Sequence, residues 1–377
     1  MNVDIKPTLS WQAAIDPEGG TISYDVYLDK SAEPTTLIAE NLTGTQLEIS
    51  NRLNLIANYY WRVVAKDDNG NQTRSQSTFT FTTRKIRPET AVTNAAAYYR
   101  RQAHQSLVFD GKLWILGGAS NQFLDDAWST TDGVNWTEET RSNTSISYGE
   151  RDNHAAVVFN NKIWIIAGRG ITGNQTDRRN DVWSSPNGRN WTKETPAANF
   201  SIRQNTSAVV FNNKIWIIGG INNEEGKLGD IWSSSDGVNW TQESANAAFG
   251  TRYKAAITVF QNKLWLTGGG VNGDRSIWSS TDGRNWIQKL MNPPFTNDNN
   301  KLFVFENRLW AFGGSTGAGS HRNNLWSSPD GIHWTQETSP APFPAKVNFA
   351  SAVYNNKIWV LGGFFNTQSN RDVWALD

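Results

Sequence analysis

The stretch Asn160-Asn161-Lys162-Ile163-Trp164-Ile165-Ile166-Ala167-Gly168, followed after a loop by Asp181-Val182-Trp183-Ser184-Ser185-Pro186-Asn187-Gly188-Arg189-Asn190-Trp191-Thr192, decides how this chain is read. Its text recurs down the sequence. A first tryptophan series is Trp114, Trp164, Trp216, Trp265, Trp310 and Trp359. A second is Trp128, Trp183, Trp232, Trp278, Trp326 and Trp374, and a third is Trp136, Trp191, Trp240, Trp286 and Trp334, with no sixth member. Members of the first series are 50, 52, 49, 45 and 49 residues apart. Such self-similarity marks one supersecondary unit repeated side by side, each copy burying its apolar faces on its neighbours.

Within the second repeat, four strands are expected at 154–159, 162–168, 181–185 and 190–195. Ala155-Ala156-Val157-Val158-Phe159 and Ile163-Trp164-Ile165-Ile166 are apolar on both faces, as in a sheet covered on both sides. The period near 50 and the diglycine after the first tryptophan resemble the kelch repeat, which implies a six-bladed β-propeller over residues 84–377. The sixth repeat ends after three strands. Ile86-Arg87-Pro88-Glu89-Thr90 lines up with Trp191–Thr195, and Thr90 to Lys112 spans the same 22 residues as Thr140 to Lys162. The strand expected to complete the last blade is therefore 85–90, which would leave no open edge. The turns Ser-x-Asp-Gly-x-x-Trp, with Asp236-Gly237, Asp282-Gly283, Asp330-Gly331, Asp132-Gly133 (where Thr130 replaces the Ser) and the variant Asn187-Gly188, suit tight hairpins. They resemble a shortened sialidase Asp-box, a structural turn that implies no sialidase chemistry.

Upstream, short apolar runs alternate with turn signals over residues 1–83. Expected strands are 8–11, 24–28, 45–49, 59–65 and 77–82, with Leu9 and Trp11 on one inward face and Tyr59, Trp61 and Val63 on another. This segment resembles a fibronectin type III domain, Trp11 falling on the second strand and Tyr60-Trp61-Arg62-Val63 on the sixth. It departs from that pattern at its start, where six residues precede Pro7. Either Asn2–Lys6 is a shortened first strand, or the chain was cut from a longer one. The fold class is thus all-β, a small sandwich followed by a propeller.

The 377 residues carry no net charge, which gives no global argument for nucleic acid or an anionic membrane. There is no cysteine, so neither a disulfide nor a thiolate metal site is available. No apolar run approaches the roughly 18 residues of a membrane span, and Met1-Asn2-Val3-Asp4-Ile5-Lys6-Pro7 lacks the apolar core of a signal peptide.

The turns between first and second strands are all two residues long, whereas the distance from the last diglycine residue to the second tryptophan runs 10, 15, 12, 9, 12 and 11. Variable loops gather on one face and point there for a ligand. Eight residues before the aromatic that ends each inner strand stand Arg101, Arg151, Arg203, Arg252, Asn297 and Lys346. A ring of five cations around one opening would concentrate positive potential and suit carboxylates. The alternative is that these side chains tie adjacent blades through backbone carbonyls. Two positions further on come Asn153, Asn205, Lys254, Asn299 and Asn348, and Asp152 and Asp298 stand near enough to offset part of the charge. Phe364 and Phe365 follow the sixth diglycine, as an exposed contact pair or as packing. Tyr98, Tyr148, Phe200, Phe249, Phe295 and Phe343 recur at nearly fixed spacing and are expected in the core.

Catalytic constellations are thin. His104 and His154 occupy matching positions, but a metal needs three or more ligands, and the other repeats offer Thr206, Ala255, Asn300 and Phe349 there. Galactose oxidase has this propeller type, but its cysteine-linked tyrosine radical cannot form in a chain without cysteine. No cofactor and no metal are expected. The reading is a non-catalytic binding or adhesion module, monomeric, taking a glycan or protein on the variable-loop face. An enzyme acting on a carboxylated sugar held by the cationic ring, and a structural scaffold, are the rivals. The pairing of a sandwich with a propeller points to a secreted or surface-attached bacterial protein. Asn135, Asn190 and Asn239, in Asn-x-Thr triplets within the repeat, argue against a eukaryotic secretory origin.

Overall fold

The computed structural model describes residues 2–85, 91–141, 147–172, 175–295, 298–315, 321–338, 341 and 343–377. It comprises two units, Met1–Arg87 and Pro88–Asp377.

In the first unit, Ser23–Asp29, Leu37–Leu42, Asn58–Lys66, Gln72–Arg74 and Phe79–Thr83 form one sheet, and Thr8–Ser10 pairs with Gln46–Glu48 in a second. Asn2–Val3 is a two-residue strand and runs parallel to Thr82–Thr83. Leu9, Tyr59, Trp61 and Val63 are buried together with Tyr24, Val26 and Leu28, as the two-residue period requires. Leu37–Leu42 is a strand that the alternation does not reveal. It is an edge strand with no fully buried residue, its register on Ser23–Asp29 shifts twice, and Asn41 is left-handed. Those bulges break the period that pattern reading depends on.

The second unit contains six sheets, five of four strands and one, in blade 2, of five, the extra strand being Arg151–Asp152. Blade 1 is Gln105–Phe109, Lys112–Ala119, Phe123–Thr130 and Thr137–Thr140. Blade 2 is Ala155–Phe159, Lys162–Thr172, Gln175–Ser185 and Thr192–Thr195. Blade 3 begins at Ser207, blade 4 at Ala256, blade 5 at Asp298 and blade 6 at Ala350. The fifteen residues after Gly168 are therefore largely strand, a hairpin of two 11-residue arms where blades 1 and 3 have arms of eight.

Blade 6 is completed from upstream, where 85–90 was expected, and the described strand that pairs there is Ala91–Thr93. Thr93 pairs with Val373 and Ala91 with Trp374, and residues 86–90 lie outside the described residues. The place of Ala91–Thr93 follows from the repeat. Thr93 is equivalent to Thr140, Thr195, Ser244 and Thr338, each of which pairs with the residue before a second-series tryptophan. Thr195 to Lys214, Ser244 to Lys263, Thr338 to Lys357 and Thr93 to Lys112 all span 19 residues. Thr140 to Lys162 spans 22 and carries three extra residues.

The tryptophans hold neighbouring blades together. Trp164 Nε1 donates to Phe159 O at 2.9 Å, and its ring lies where a Cβ on Gly237 of blade 3 would stand. Gly133, Gly188, Gly283 and Gly331 meet Trp359, Trp114, Trp216 and Trp265 in the same way. The third-series tryptophans pack edge-on against the recurrent aromatics, with centroids 5.0 Å apart for Tyr98–Trp136, 4.7 Å for Tyr148–Trp191 and 5.2 Å for Phe200–Trp240. Those aromatics are core residues, as their spacing implies.

Gly237 has φ +79° as well as a tryptophan over it. Gly237→Ala combines a left-handed backbone with overpacking and is expected to cost about 2 kcal/mol or more, read from a urea unfolding curve.

The turn carboxylates give a pH signature. Asp236 accepts from the backbone N–H groups of Val238 and Asn239 and from Asn239 Nδ2, each at 2.8 Å. Burial alone would raise its pKa, but these bonds outweigh that and hold it at about 2. A depressed carboxylate stabilises the fold above its unfolded value near 3.8 and stops doing so as pH falls through 2. Asp236→Asn, copying the natural Asn187 turn, should therefore lower stability at pH 6. The difference from wild type should shrink between pH 4 and pH 2, as followed by thermal unfolding across that range.

Candidate functional site

The five cations of the sequence ring are all 0 % exposed and face carboxylates rather than solvent. Arg101 Nη1 and Nη2 each lie 2.7 Å from Asp126, Arg151 pairs with Asp181 at 2.8 and 3.0 Å, and Arg203 with Asp230 at 2.8 and 2.7 Å. Arg252 Nη2 reaches Asp274 at 2.7 Å and Lys346 Nζ reaches Asp372 at 2.6 Å. A bidentate fork on a buried carboxylate is a strong, oriented pair and leaves no net charge for a ligand. The expectation of a cationic ring facing a ligand is corrected on this ground. The fifth position, Asn297, lies outside the described residues.

The backbone shows what the pairs do. Arg203 N–H donates to Arg179 O and Arg203 O accepts from Gly168 N–H, both in blade 2, while its guanidinium holds Gly219 O and Asp230 of blade 3. Arg252 is fixed to Leu228 and Gly220 of blade 3 and reaches into blade 4, and Arg101 is fixed to Asn370 and Gly363 of blade 6 and reaches into blade 1. Arg101, Arg203 and Arg252 are thus staples between consecutive blades, whereas Arg151 pairs its backbone with Gly170 and its guanidinium with Asp181, both of blade 2. The diglycine serves this contact: at Gly219, with φ +56°, a Cβ would collide with Arg252 O.

The partner carboxylates carry a sequence signal that the cation series alone does not show. Asp126, Asp181, Asp230 and Asp372 each stand two residues before a second-series tryptophan, whose Nε1 donates to the same carboxylate at 2.7–2.8 Å. In blade 5 both members change together, to Asn297 and Asn324, and Trp326 Nε1 is buried with no acceptor among the described residues. In blade 4 Ser276 takes the aspartate position and the carboxylate comes from Asp274. Burial there outweighs the carboxylate, which is 40 % exposed, and the proton affinity of Arg252 falls.

The amide series does reach the hub. A cavity of about 240 Å³ at the centre of the ring is lined by Asn153, Asn205, Lys254 and Asn348, among other residues. Their backbones form a belt. Ala103 N–H donates to Asn348 O, Asn153 to Ala103, Asn205 to Asn153 and Lys254 to Asn205, at 2.8–2.9 Å. All five residues are left-handed, with φ between 51° and 56°. Asparagine tolerates that region better than most residues, which gives these positions a structural reason for their type. Asn348 Nδ2 donates to Gln102 Oε1 at 3.0 Å, and Lys254 Nζ lies 3.4 Å from Asn348 Oδ1. The side chain of Asn299 lies outside the described residues.

Phe364 and Phe365 are half-buried at the end of the strand Lys357–Phe365, closed by a two-residue turn at Asn366 and Thr367, both left-handed. They are sheet residues, not the exposed loop pair that the sequence suggested as one reading. His104 and His154 are buried against Gly362 and Gly117 and kept neutral, burial pushing His154 down to about 3. Among the described residues no group of three or more potential ligands is assembled around a metal position.

Pattern reading missed Lys301. It lines the same cavity, with Nζ 5.7 Å from the Phe349 ring centroid. Burial pushes its pKa down to about 8, with the charge of Lys254 adding to the effect. The signal was present: four residues before the strand-end aromatic the other blades have Gln105, Ala155, Ser207, Ala256 and Ala350.

The profile of the KLHDC2/KLHL20/DRC7 Kelch-repeats domain matches residues 63–269, and that of the Kelch motif matches residues 345–377. The chain belongs to the kelch-repeat family. The first kelch match begins inside the strand Asn58–Lys66 of the first unit, and blade 5 falls between the two matches. Among solved structures, one described as "Structure of YjhT" is similar with a TM-score of 0.61 and 15% identity, over 74% of this chain and 95% of that one. At that identity the likeness shows the kelch fold alone. No curated protein matches.

If the staples are structural, removing one charge should unfold, not merely discharge, the site. Arg203→Met is expected to cost about 3–5 kcal/mol in urea unfolding, because Asp230 is left buried and unpaired. Arg203→Met with Asp230→Leu should recover part of that loss. An Arg203→Met protein as stable as wild type would show that the pair does not hold the blades.

Proposed function

We propose that this chain is a non-catalytic binding module whose kelch propeller takes a protein ligand on the face bearing the second-to-third-strand hairpins. Kelch repeats generally mediate protein–protein binding. The observation that carries the reading is the blade 2 hairpin, which is longer than its counterparts in blades 1 and 3 and carries Arg169, Arg178 and Arg179. Arg169 is held by Asp152 at 2.7 Å and lies 5.3 Å from the Phe123 ring of blade 1. Arg179 Nη2 donates to Ile171 O. A basic lip with an aromatic beside it suits a protein surface bearing carboxylates. The face offers no tryptophan platform for a sugar ring, which favours protein over glycan. The carboxylated-sugar enzyme rested on the cation ring, and with that ring paired to aspartates it has no carrier.

The first unit, with its small second sheet and its Trp11–Trp61 core, suits a fibronectin type III-like spacer. The pairing of the two units is the basis for proposing a secreted or surface-attached bacterial setting, which fractionation of cells expressing the native gene would test.

The binding reading is tested by cross-linking capture with wild type, with Arg178→Glu/Arg179→Glu, and with Arg189→Glu/Arg284→Glu on the turns of the other face. A protein partner lost only with the first variant supports it. Equal loss with both variants, or saturable binding on a glycan array with no protein partner, overturns it.

A further inference from the structure

The second-series tryptophans differ at one position. Trp128, Trp183, Trp232 and Trp374 donate Nε1–H to the aspartate two residues before them, and Trp278 donates to Ser276 Oγ, all at 2.7–2.8 Å. Trp326 Nε1 is buried and has no acceptor among the described residues. A buried donor left so raises the free energy of the fold, and an indole N–H can only donate.

The same indole borders a pocket of about 210 Å³ that is also lined by Phe295, Gly313 and Asn324. These four residues are the counterparts of Trp128, Tyr98, Gly117 and Asp126, the groups that surround the Arg101 guanidinium in blade 1. Blade 5 thus keeps the frame of a staple, with Asn297 and Asn324 in the sequence where blade 1 has Arg101 and Asp126. Two cations of other origin line the pocket, Arg275 and Arg322. Arg275 comes from blade 4, where its carbonyl accepts from Thr267 Oγ1 at 3.0 Å. Arg322 stands in the second-to-third connection of blade 5, and its N–H donates to Gly314 O at 3.0 Å. Arg275 is half-buried and Arg322 exposed, and neither guanidinium is in an ion pair among the described residues. No aspartate or glutamate is among the described residues that line the pocket, and Asp274, beside Arg275 in sequence, is held by Arg252 at 2.7 Å.

We propose that this blade 5 pocket is a binding site for a carboxylate, which accepts from Trp326 Nε1–H and has its charge matched by Arg275 and Arg322. The chain itself supplies the precedent: Asp126 Oδ2 accepts at once from Trp128 Nε1 and Arg101 Nη2. In blade 5 the carboxylate comes from a ligand instead of from the third strand. Guanidinium groups and an indole N–H suit an anion and disfavour a cation. A pocket of about 210 Å³ admits a carboxylate on a short stem, not a folded partner. A free short acid and an aspartate side chain of a partner present the same group. The site is separate from the basic hairpin of blade 2 and does not rest on it.

The test uses the full chain with its tryptophans labelled with nitrogen-15, so that each indole N–H gives a nuclear magnetic resonance signal. The Trp326 signal is identified by its loss in Trp326→Phe. Acetate is expected to displace it saturably, while the other five second-series indoles, which already have acceptors, stay in place. A blocked Gly-Asp-Gly peptide should compete with acetate. Tighter binding of the peptide supports the site with a partner's side chain as the source, and tighter binding of acetate supports it with a free acid. Arg275→Gln and, independently, Arg322→Gln should each weaken acetate binding at least about ten-fold, with melting unchanged. Asn324→Asp restores the acceptor found in four other blades. It should shift the Trp326 signal without ligand and abolish acetate binding. The proposal is overturned if neither probe displaces the Trp326 signal saturably, if all six indoles move alike, or if both arginine variants bind acetate as wild type does.

Discussion

The structure depends on a charge pair buried between blades. An arginine whose backbone is bonded to one blade, as at Arg101, Arg203 and Arg252, carries its charge into the next, where an aspartate and a second-strand carbonyl receive it. Neither ion could be buried alone, since an unpaired charge in that setting costs several kcal/mol. The arrangement forms only when both blades are in place, so the pair specifies adjacency as much as it stabilises. The tryptophan of the Asp-x-Trp segment adds a third donor to the same carboxylate, and the aromatic preceding the inner strand lies below the guanidinium, as Tyr98 does at 5.2 Å from Arg101.

That constraint explains why the ring is polar at its hub yet carries little free charge there. The staples take up five cations, and the belt of left-handed residues turns the chain from staple to inner strand. Asparagine at three belt positions answers a backbone demand first, and any contact with a ligand is built on residues already fixed. Blade 5 departs from the rule. It has asparagine at both staple positions, a tryptophan N–H without a described acceptor, and Lys301 in the channel. Blade 4 departs in part, with its carboxylate displaced to Asp274 and Lys254 in the belt. The two irregular blades are adjacent and supply the two channel lysines.

Much of the fold was legible because it is periodic. Three tryptophan series fixed blade number and strand order, and the aromatics from Tyr98 to Phe343 declared themselves as core by their spacing. The closing strand was legible as coming from upstream: the 22-residue step from Thr140 to Lys162 points to 85–90, of which 86–90 lie outside the described residues, and the commoner 19-residue step points to the described strand Ala91–Thr93. The site was harder to read for a physical reason. A repeated arginine has the same appearance whether it faces solvent or a buried carboxylate, and only its partner distinguishes the two. The partner was in the sequence, in Asp-x-Trp, and blade 5 losing both charges together was the decisive clue. Lys301 was hidden for the opposite reason: it occurs once, and a search for recurrence passes over it.

Repetition and function therefore separate in this chain. What recurs in nearly every blade, the Asp-Gly turn beneath a neighbour's tryptophan or the arginine on its aspartate, is accounted for by packing and charge burial. What occurs in one blade, the 11-residue hairpin of blade 2 or the lysines of blades 4 and 5, is not required by the ring geometry, since the other blades close without it. A feature that is not needed for closure calls for a different reason to exist. In a propeller that reason is sought at the hub and at the rim of the variable face, because only there can one blade differ without breaking its contacts with the next.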